Sequence, residues 1–186
     1  MKTYLTSGML KGRQLAVAAG IRPTQERVRK ALFDVLQQVV EGSVFLELYA
    51  GSGAVGIEAL SNGAQEVVFV EKDTRCCRMI EKNITVLGTG MGKAVSSMFS
   101  MDALRAIDLL VEKKKKFDII FLDPPYYGDL AKNTLQKLSC CDILTHFCVV
   151  VVEHNKKDFL DTEINQLTCF KQKRYGDTLL SFYKVV

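Results

Sequence analysis

Two periods of apolar residues alternate along this chain. Short, nearly unbroken apolar runs occur at Val44-Phe45-Leu46-Glu47-Leu48-Tyr49, Val67–Val70, Ala94–Phe99, Asp118–Leu122 and Phe147–Val152. Runs of that length with no polar alternation predict strands buried on both faces. Between them, apolar residues recur at helical spacing. Val28, Ala31, Leu32, Val35, Leu36 and Val39 share one face of a predicted helix opening at Pro23-Thr24, with Thr24 as its cap. Arg22, Arg27, Arg29 and Lys30 are left to its start and polar side. Further helices are predicted from the glycine loop through Ile57, Ala59 and Leu60, over 73–87, after Asp102, and up to about Leu138. The chain closes with two strands in succession, near 166–173 and 178–185, turned at Tyr175-Gly176-Asp177. It opens with two short candidate strands, at Thr3-Tyr4-Leu5 and Gln14-Leu15-Ala16-Val17. Strand and helix alternate five times before the closing pair. This order predicts one α/β domain over 1–186, with a doubly wound, mostly parallel seven-stranded sheet. Its last pair forms an antiparallel hairpin, and residues 1–20 form a small β-hairpin extension.

The run Asp118–Leu122 ends in Asp123-Pro124-Pro125-Tyr126. Neither proline donates a backbone hydrogen bond, and each holds its predecessor extended, so the strand stops with an acid at its carboxyl end. In open α/β sheets ligands bind at that edge. The motif suits methylation of an amine attached to a ring or carbonyl. Such an amine is a poor nucleophile until it pyramidalises and turns its lone pair toward the electrophile. The Asp123 carboxylate and the Pro124 carbonyl are two acceptors for its N–H groups, and Tyr126 offers a face for the ring. Asp123, Pro124, Pro125 and Tyr126 are therefore the candidate catalytic set.

Gly51-Ser52-Gly53-Ala54-Val55-Gly56 matches G-x-G-x-x-G between a strand and a helix, and Glu71 closes the next strand, where an acid binds ribose hydroxyls. A nicotinamide enzyme is the literal reading, and three observations oppose it. Glu47 precedes the turn, where an anion disfavours a pyrophosphate but favours a sulfonium or ammonium group. The chain has little room for a separate substrate domain. Hydride transfer gives no reason for Asp-Pro-Pro-Tyr. S-adenosylmethionine satisfies all three, with Glu47, Gly51, Ser52, Gly53, Gly56, Glu71 and Asp102 as its candidate contacts. Asp102 is equally well placed to cap the helix that follows it.

Charge adds a partner. The net charge is +4, yet residues 1–30 hold seven basic side chains against one acid, a balance of +6 that leaves −2 for the rest. A basic amino-terminal arm on a slightly acidic body predicts a polyanion, with Lys11, Arg13, Arg22 and Arg27 as candidate RNA phosphate contacts. The six cysteines form no C-x-x-C pair and there are two histidines, so no metal site or disulfide framework is expected. No apolar run reaches membrane-spanning length and the start carries no signal-peptide pattern, which predicts a cytoplasmic protein.

Four blocks together resemble a known family: Lys11-Gly12-Arg13-Gln14-Leu15, Arg22-Pro23-Thr24-Gln25-Glu26-Arg27-Val28-Arg29 leading to Leu32-Phe33, Gly51 to Ser61, and Asp123-Pro124-Pro125-Tyr126. Tyr175-Gly176-Asp177-Thr178 also looks like the family's tail. The chain resembles the RsmD-type 16S ribosomal RNA (guanine-N2)-methyltransferases, a class I S-adenosylmethionine-dependent group with a Rossmann-like sheet. Ser7 and Tyr126 stand where that family more often has glycine and phenylalanine. The resemblance implies methylation of a guanine amine in 16S rRNA or the assembling small subunit, by a monomer, with Asp123 as catalytic acceptor and Tyr126 stacking on the base. Two competing functions are a DNA adenine-N6 methyltransferase, for which the chain lacks a recognition domain, and a non-catalytic rRNA-binding assembly factor. Methylation of protein glutamine would favour Asn at position 123.

Overall fold

The computed structural model describes residues 2–21, 23–88, 94–125 and 129–186. Its main sheet contains β3 (Val44–Leu48), β4 (Glu66–Glu71), β5 (Val95–Ser100), β6 (Phe117–Leu122), β7 (Leu144–Asn155), β8 (Glu163–Ile164), β9 (Leu167–Tyr175) and β10 (Thr178–Val185). The spatial order is β5-β4-β3-β6-β7-β10-β9-β8. Strands β5 to β7 run parallel, and β10 lies antiparallel between β7 and β9. The expected doubly wound sheet with its terminal hairpin is present. The strand beyond the expected seven is β8, whose two residues are too few to show a period.

Both faces of the sheet are covered, which is why its central strands read as unbroken apolar runs. In β6, Ile119 and Phe121 enter one core while Ile120 and Leu122 enter the other. The first core also holds residues of α1 (Glu26–Leu36), α2 (Ala54–Ser61) and α3 (Thr74–Leu87). The second holds residues of α4 (Ala103–Glu112) and α5 (Leu130–Cys140). The amino-terminal extension is a separate antiparallel pair, β1 (Lys2–Tyr4) with β2 (Gln14–Ala16).

Three local expectations are corrected. Helix α1 starts at Glu26 and ends at Leu36, so Val39 falls beyond it and is exposed. Phe147 is 86 % exposed, because it lies in the part of β7 between Leu144 and Val149 that a register shift leaves out of the pairing with β6. The largest correction is Arg29, which helical spacing places on the polar side of α1 and which is fully buried.

Arg29 has a complete physical reason to be inside. Its Nε donates to Glu58 Oε2 at 2.8 Å, and neither side chain is exposed. Nη1 donates to the Thr24 carbonyl at 2.7 Å and to Thr3 Oγ1 at 3.2 Å, and Nη2 donates to the Tyr4 carbonyl. The other Glu58 oxygen accepts from the Thr6 amide and from Ser7 Oγ, each at 2.9 Å, and from Thr6 Oγ1. One buried ion pair thus fastens the extension, α1 and α2 together. A buried charge is tolerated only with such full pairing.

Candidate active site

The carboxyl ends of the parallel strands open on a cavity of about 930 Å³. The glycine turn forms one wall. β3 leads into Tyr49 in the left-handed region (φ 58°), and Gly53 at φ 68° sets the entry to α2. A side chain there would meet Ile80, and a Cβ on Gly56 would stand 2.4 Å from Phe69 Cε1 and 2.6 Å from Glu47 Oε2. The turn therefore needs glycine at 53 for its angle and at 56 for close packing of α2 on the sheet.

Glu71, the last residue of β4, faces this cavity and pins the turn. Its Oε2 accepts from the Gly51 amide and its Oε1 from the Asp73 amide, both at 2.8 Å. A carboxylate held from behind by two backbone donors keeps its remaining lone pairs oriented. Asp102 also lines the cavity, and its side chain caps α4 through the Leu104 and Arg105 amides, so both of its expected positions coincide in one residue.

Glu47 lies behind the turn and lines a smaller cavity beside it. It is 2 % exposed and accepts from the Gly56 amide at 2.9 Å. Burial, with the nearby Asp123 carboxylate adding to it, pushes its pKa up to about 8 despite the Gly56 and Val55 amides. A carboxyl that is mostly protonated at neutral pH presents no fixed anion to a sulfonium. Here it shapes the turn. Ser52 is also buried beside it, and Gly53 and Gly56 act through packing rather than by facing the large cavity.

A second wall, at the end of the neighbouring strand β6, carries Asp123, Pro124 and Pro125. Burial raises the Asp123 pKa, and a hydrogen bond from the Thr24 hydroxyl opposes the rise. Thr24 was expected to cap α1. Gln25 occupies that position, without a side-chain capping bond, and Thr24 turns inward instead. A small cavity of about 30 Å³ touches Thr24, Glu47, Ser52 and Asp123 together. Because Arg29 holds the Thr24 carbonyl, the buried ion pair reaches the site through one residue.

Several lining residues were not anticipated. Ile21, Glu153 and Asn155 contribute, as do Tyr175 to Thr178 of the β9–β10 turn. Glu153 carried the same signal as Glu71 and Asp123, an acid near the carboxyl end of an apolar run. The turn gave no such signal, since its approach depends on β10 inserting next to β7. Arg27 does line the cavity, and a Cβ on Gly176 would stand 3.6 Å from its Nη2. Lys11 and Arg13 lie on the exposed turn of the extension, where the Met9 amide bonds to the Ser61 carbonyl at the far end of α2. Eight helical residues, roughly 12 Å, separate that turn from the glycine loop. Arg22 and Tyr126 fall outside the described residues.

The family described as "Conserved hypothetical protein 95" matches residues 3–184. The chain belongs to that family. It is similar to ribosomal RNA small subunit methyltransferase D of Haemophilus influenzae, at 33% identity, covering 97% of this chain and 92% of that protein. The Escherichia coli K12 protein of the same name is 30% identical, with 97% and 88% covered. Among solved structures, a hypothetical protein of Thermus thermophilus superposes with a TM-score of 0.82 at 29% identity, covering 97% of this chain and 98% of that one. These likenesses span both walls of the cavity.

Proposed function

We propose that this chain transfers a methyl group from S-adenosylmethionine to the exocyclic N2 amine of a guanine in small-subunit ribosomal RNA. The observation that carries this reading is the shared cavity. A carboxylate backed by the glycine turn, Glu71, and one steered by Thr24, Asp123, line the same space. Its volume suits a nucleoside-sized cofactor with room for a base.

The residues fit that cofactor. Glu71 would accept from ribose hydroxyls, Asp102 would take the adenine edge, and Gly51 would allow close backbone approach. When bound, the cofactor supplies an electrophilic methyl on a sulfonium. The chain's own part is orientation. Asp123 and the Pro124 carbonyl accept the two N–H groups of the target amine, turning its lone pair toward the methyl. Methylation would leave a thioether as the cofactor's product and one proton too many on the amine. The amine then loses one proton, which Asp123 is positioned to receive. Tyr126 is assigned to stack on the base. Lys11, Arg13, Arg22 and Arg27 contribute phosphate contacts.

The chain acts as one domain and as a monomer, on RNA within the assembling subunit in the cytoplasm. The extruded base costs least in a loop, which suits a compact enzyme. No helix among the described residues is long and apolar enough to cross a membrane, and no metal-ligating group appears among them.

The test is to incubate protein and cofactor with unmethylated small subunits, naked rRNA and duplex DNA, then identify nucleosides by mass spectrometry. N2-methylguanosine from RNA is expected. N6-methyladenine from DNA without methylguanosine would assign a DNA enzyme, and no product with retained RNA binding would assign an assembly factor.

A further inference from the structure

The carboxyl-terminal strand β9 reads Leu-Thr-Cys-Phe-Lys-Gln-Lys-Arg-Tyr, with three basic residues and no acid. Its pairing fixes which side each residue takes. Lys171 lies opposite Phe182 and Lys173 opposite Leu180. Directly paired residues point to the same face of a sheet. Phe182 and Leu180 belong to the core shared with α1, so Lys171 and Lys173 emerge on the α1 side. Phe170 is the extra residue at a register shift in this pairing, and its ring packs 6.2 Å from that of Phe182. It joins the same face and remains 45 % exposed.

The other border of this face is α1, whose outward residues include Arg27 and Lys30. Arg27 reaches the β9–β10 turn at Gly176 and lines the cavity. Six described ion pairs neutralise cations elsewhere on the molecule, yet none involves Arg27, Lys30, Lys171 or Lys173. Beyond β9, strand β8 pairs only with Leu167 and Thr168, leaving 170–175 as a sheet edge. The result is a run of unneutralised cations with one exposed aromatic, continuous with the cavity mouth.

We propose that the single-stranded RNA flanking the target nucleotide lies along β9, over Lys173, Lys171 and Phe170, and enters the cavity past Arg27. This rests on the functional reading above and adds a surface to it, on an element far in sequence from the basic amino-terminal arm but adjoining its Arg27. The five residue steps from Tyr175 to Phe170 span roughly 17 Å, enough for several backbone phosphates. Lysines alone on a sheet edge also discourage edge-to-edge association. An aromatic side chain left open among them serves no such purpose, but it is what a stacking base requires. Glu26 and Asp34 are the exposed acids of α1, Glu26 accepting from the Tyr4 amide at 3.0 Å, and Asp177 on the turn is engaged with Lys156.

The test measures affinity for a small-subunit rRNA fragment against salt concentration, with N2-methylguanosine yield recorded separately. Lys171→Ala with Lys173→Ala is expected to reduce the log–log salt slope by about 1.4, near 0.7 per single-strand phosphate lost. Lys82→Ala with Lys113→Ala, an equal change of charge elsewhere, is expected to leave it unaltered. Phe170→Leu should weaken binding roughly tenfold with the slope unchanged, and Phe170→Tyr should restore it. An unaltered slope in the β9 variant, or an equal loss in the control pair, would overturn the proposal. So would equal affinity for the Leu and Tyr variants. If the unsubstituted protein makes no methylguanosine, the functional reading fails instead, and the two failures stay distinct.

Discussion

The two walls of the cavity are built by different means. The glycine-turn wall comes from β3, β4 and the residues directly after them, and it is pinned by backbone amides donating to Glu71 and Glu47. The Asp123 wall is assembled from four remote segments: the end of β6, the loop before α1, the end of β7 and the β9–β10 turn. The first wall is set by local geometry and held by backbone hydrogen bonds. The second depends on side chains, with Thr24 steering Asp123 and Arg29 holding Thr24. Under the proposed function, cofactor affinity rests on the first wall and the chemical step on the second.

The most severe break in this division is Asp123→Ala. It removes the acceptor for the target amine while leaving the glycine-turn wall intact. Single-turnover transfer should fall by at least about 10²–10³-fold, as for loss of one preorganised transition-state partner. Calorimetric titration should show nearly unchanged cofactor affinity.

Arg29→Met tests the scaffold behind the second wall. It leaves Glu58 buried without its cation, which costs about 3–5 kcal/mol. Urea unfolding should show that loss. Adding Glu58→Leu should recover part of it, because the stranded carboxylate is gone.

These two walls also differ in how legible they were. Glu71, Gly51 and Asp102 follow from a strand, a turn and a fixed offset, all within one stretch of chain. Asp123 announced itself through the two prolines. Arg29 was misplaced because helical spacing reports apolar residues, and a buried arginine looks like a solvated one until Glu58 is known to lie opposite. Thr24 looked like a cap because its neighbour, not its own position, begins the helix. The β9–β10 turn was foreseen as a turn, but its approach to the cavity depends on β10 inserting between β7 and β9. Glu47 was placed beside the turn, and the buried run around it already implied the desolvation that raises its pKa.

Glu71→Ala weakens the first wall. Losing a charge-assisted acceptor costs roughly 1.5–3 kcal/mol, one to two decades in cofactor affinity by calorimetry. Glu71→Gln should lose less, because the amide oxygen still accepts from Gly51.

The smallest effect is expected from Thr24→Val. Asp123 must be ionised to accept its N–H group and then the departing proton, so the single-turnover rate should rise with pH through the Asp123 pKa. That pKa is raised by burial and opposed by the Thr24 hydroxyl. Removing the hydroxyl should move the midpoint of the pH–rate curve upward. The rate at neutral pH falls a few-fold, about a few tenths to one pKa unit, and returns at higher pH.

The most direct measurement of the two-wall division is the cofactor-concentration dependence of single-turnover transfer in Glu71→Ala and Asp123→Ala, run side by side with small-subunit rRNA. Rising S-adenosylmethionine should restore most of the rate to Glu71→Ala and none to Asp123→Ala. Rescue of Asp123→Ala by saturating cofactor, or a Glu71→Ala rate that stays low at saturation, would show that the two walls do not divide binding from chemistry.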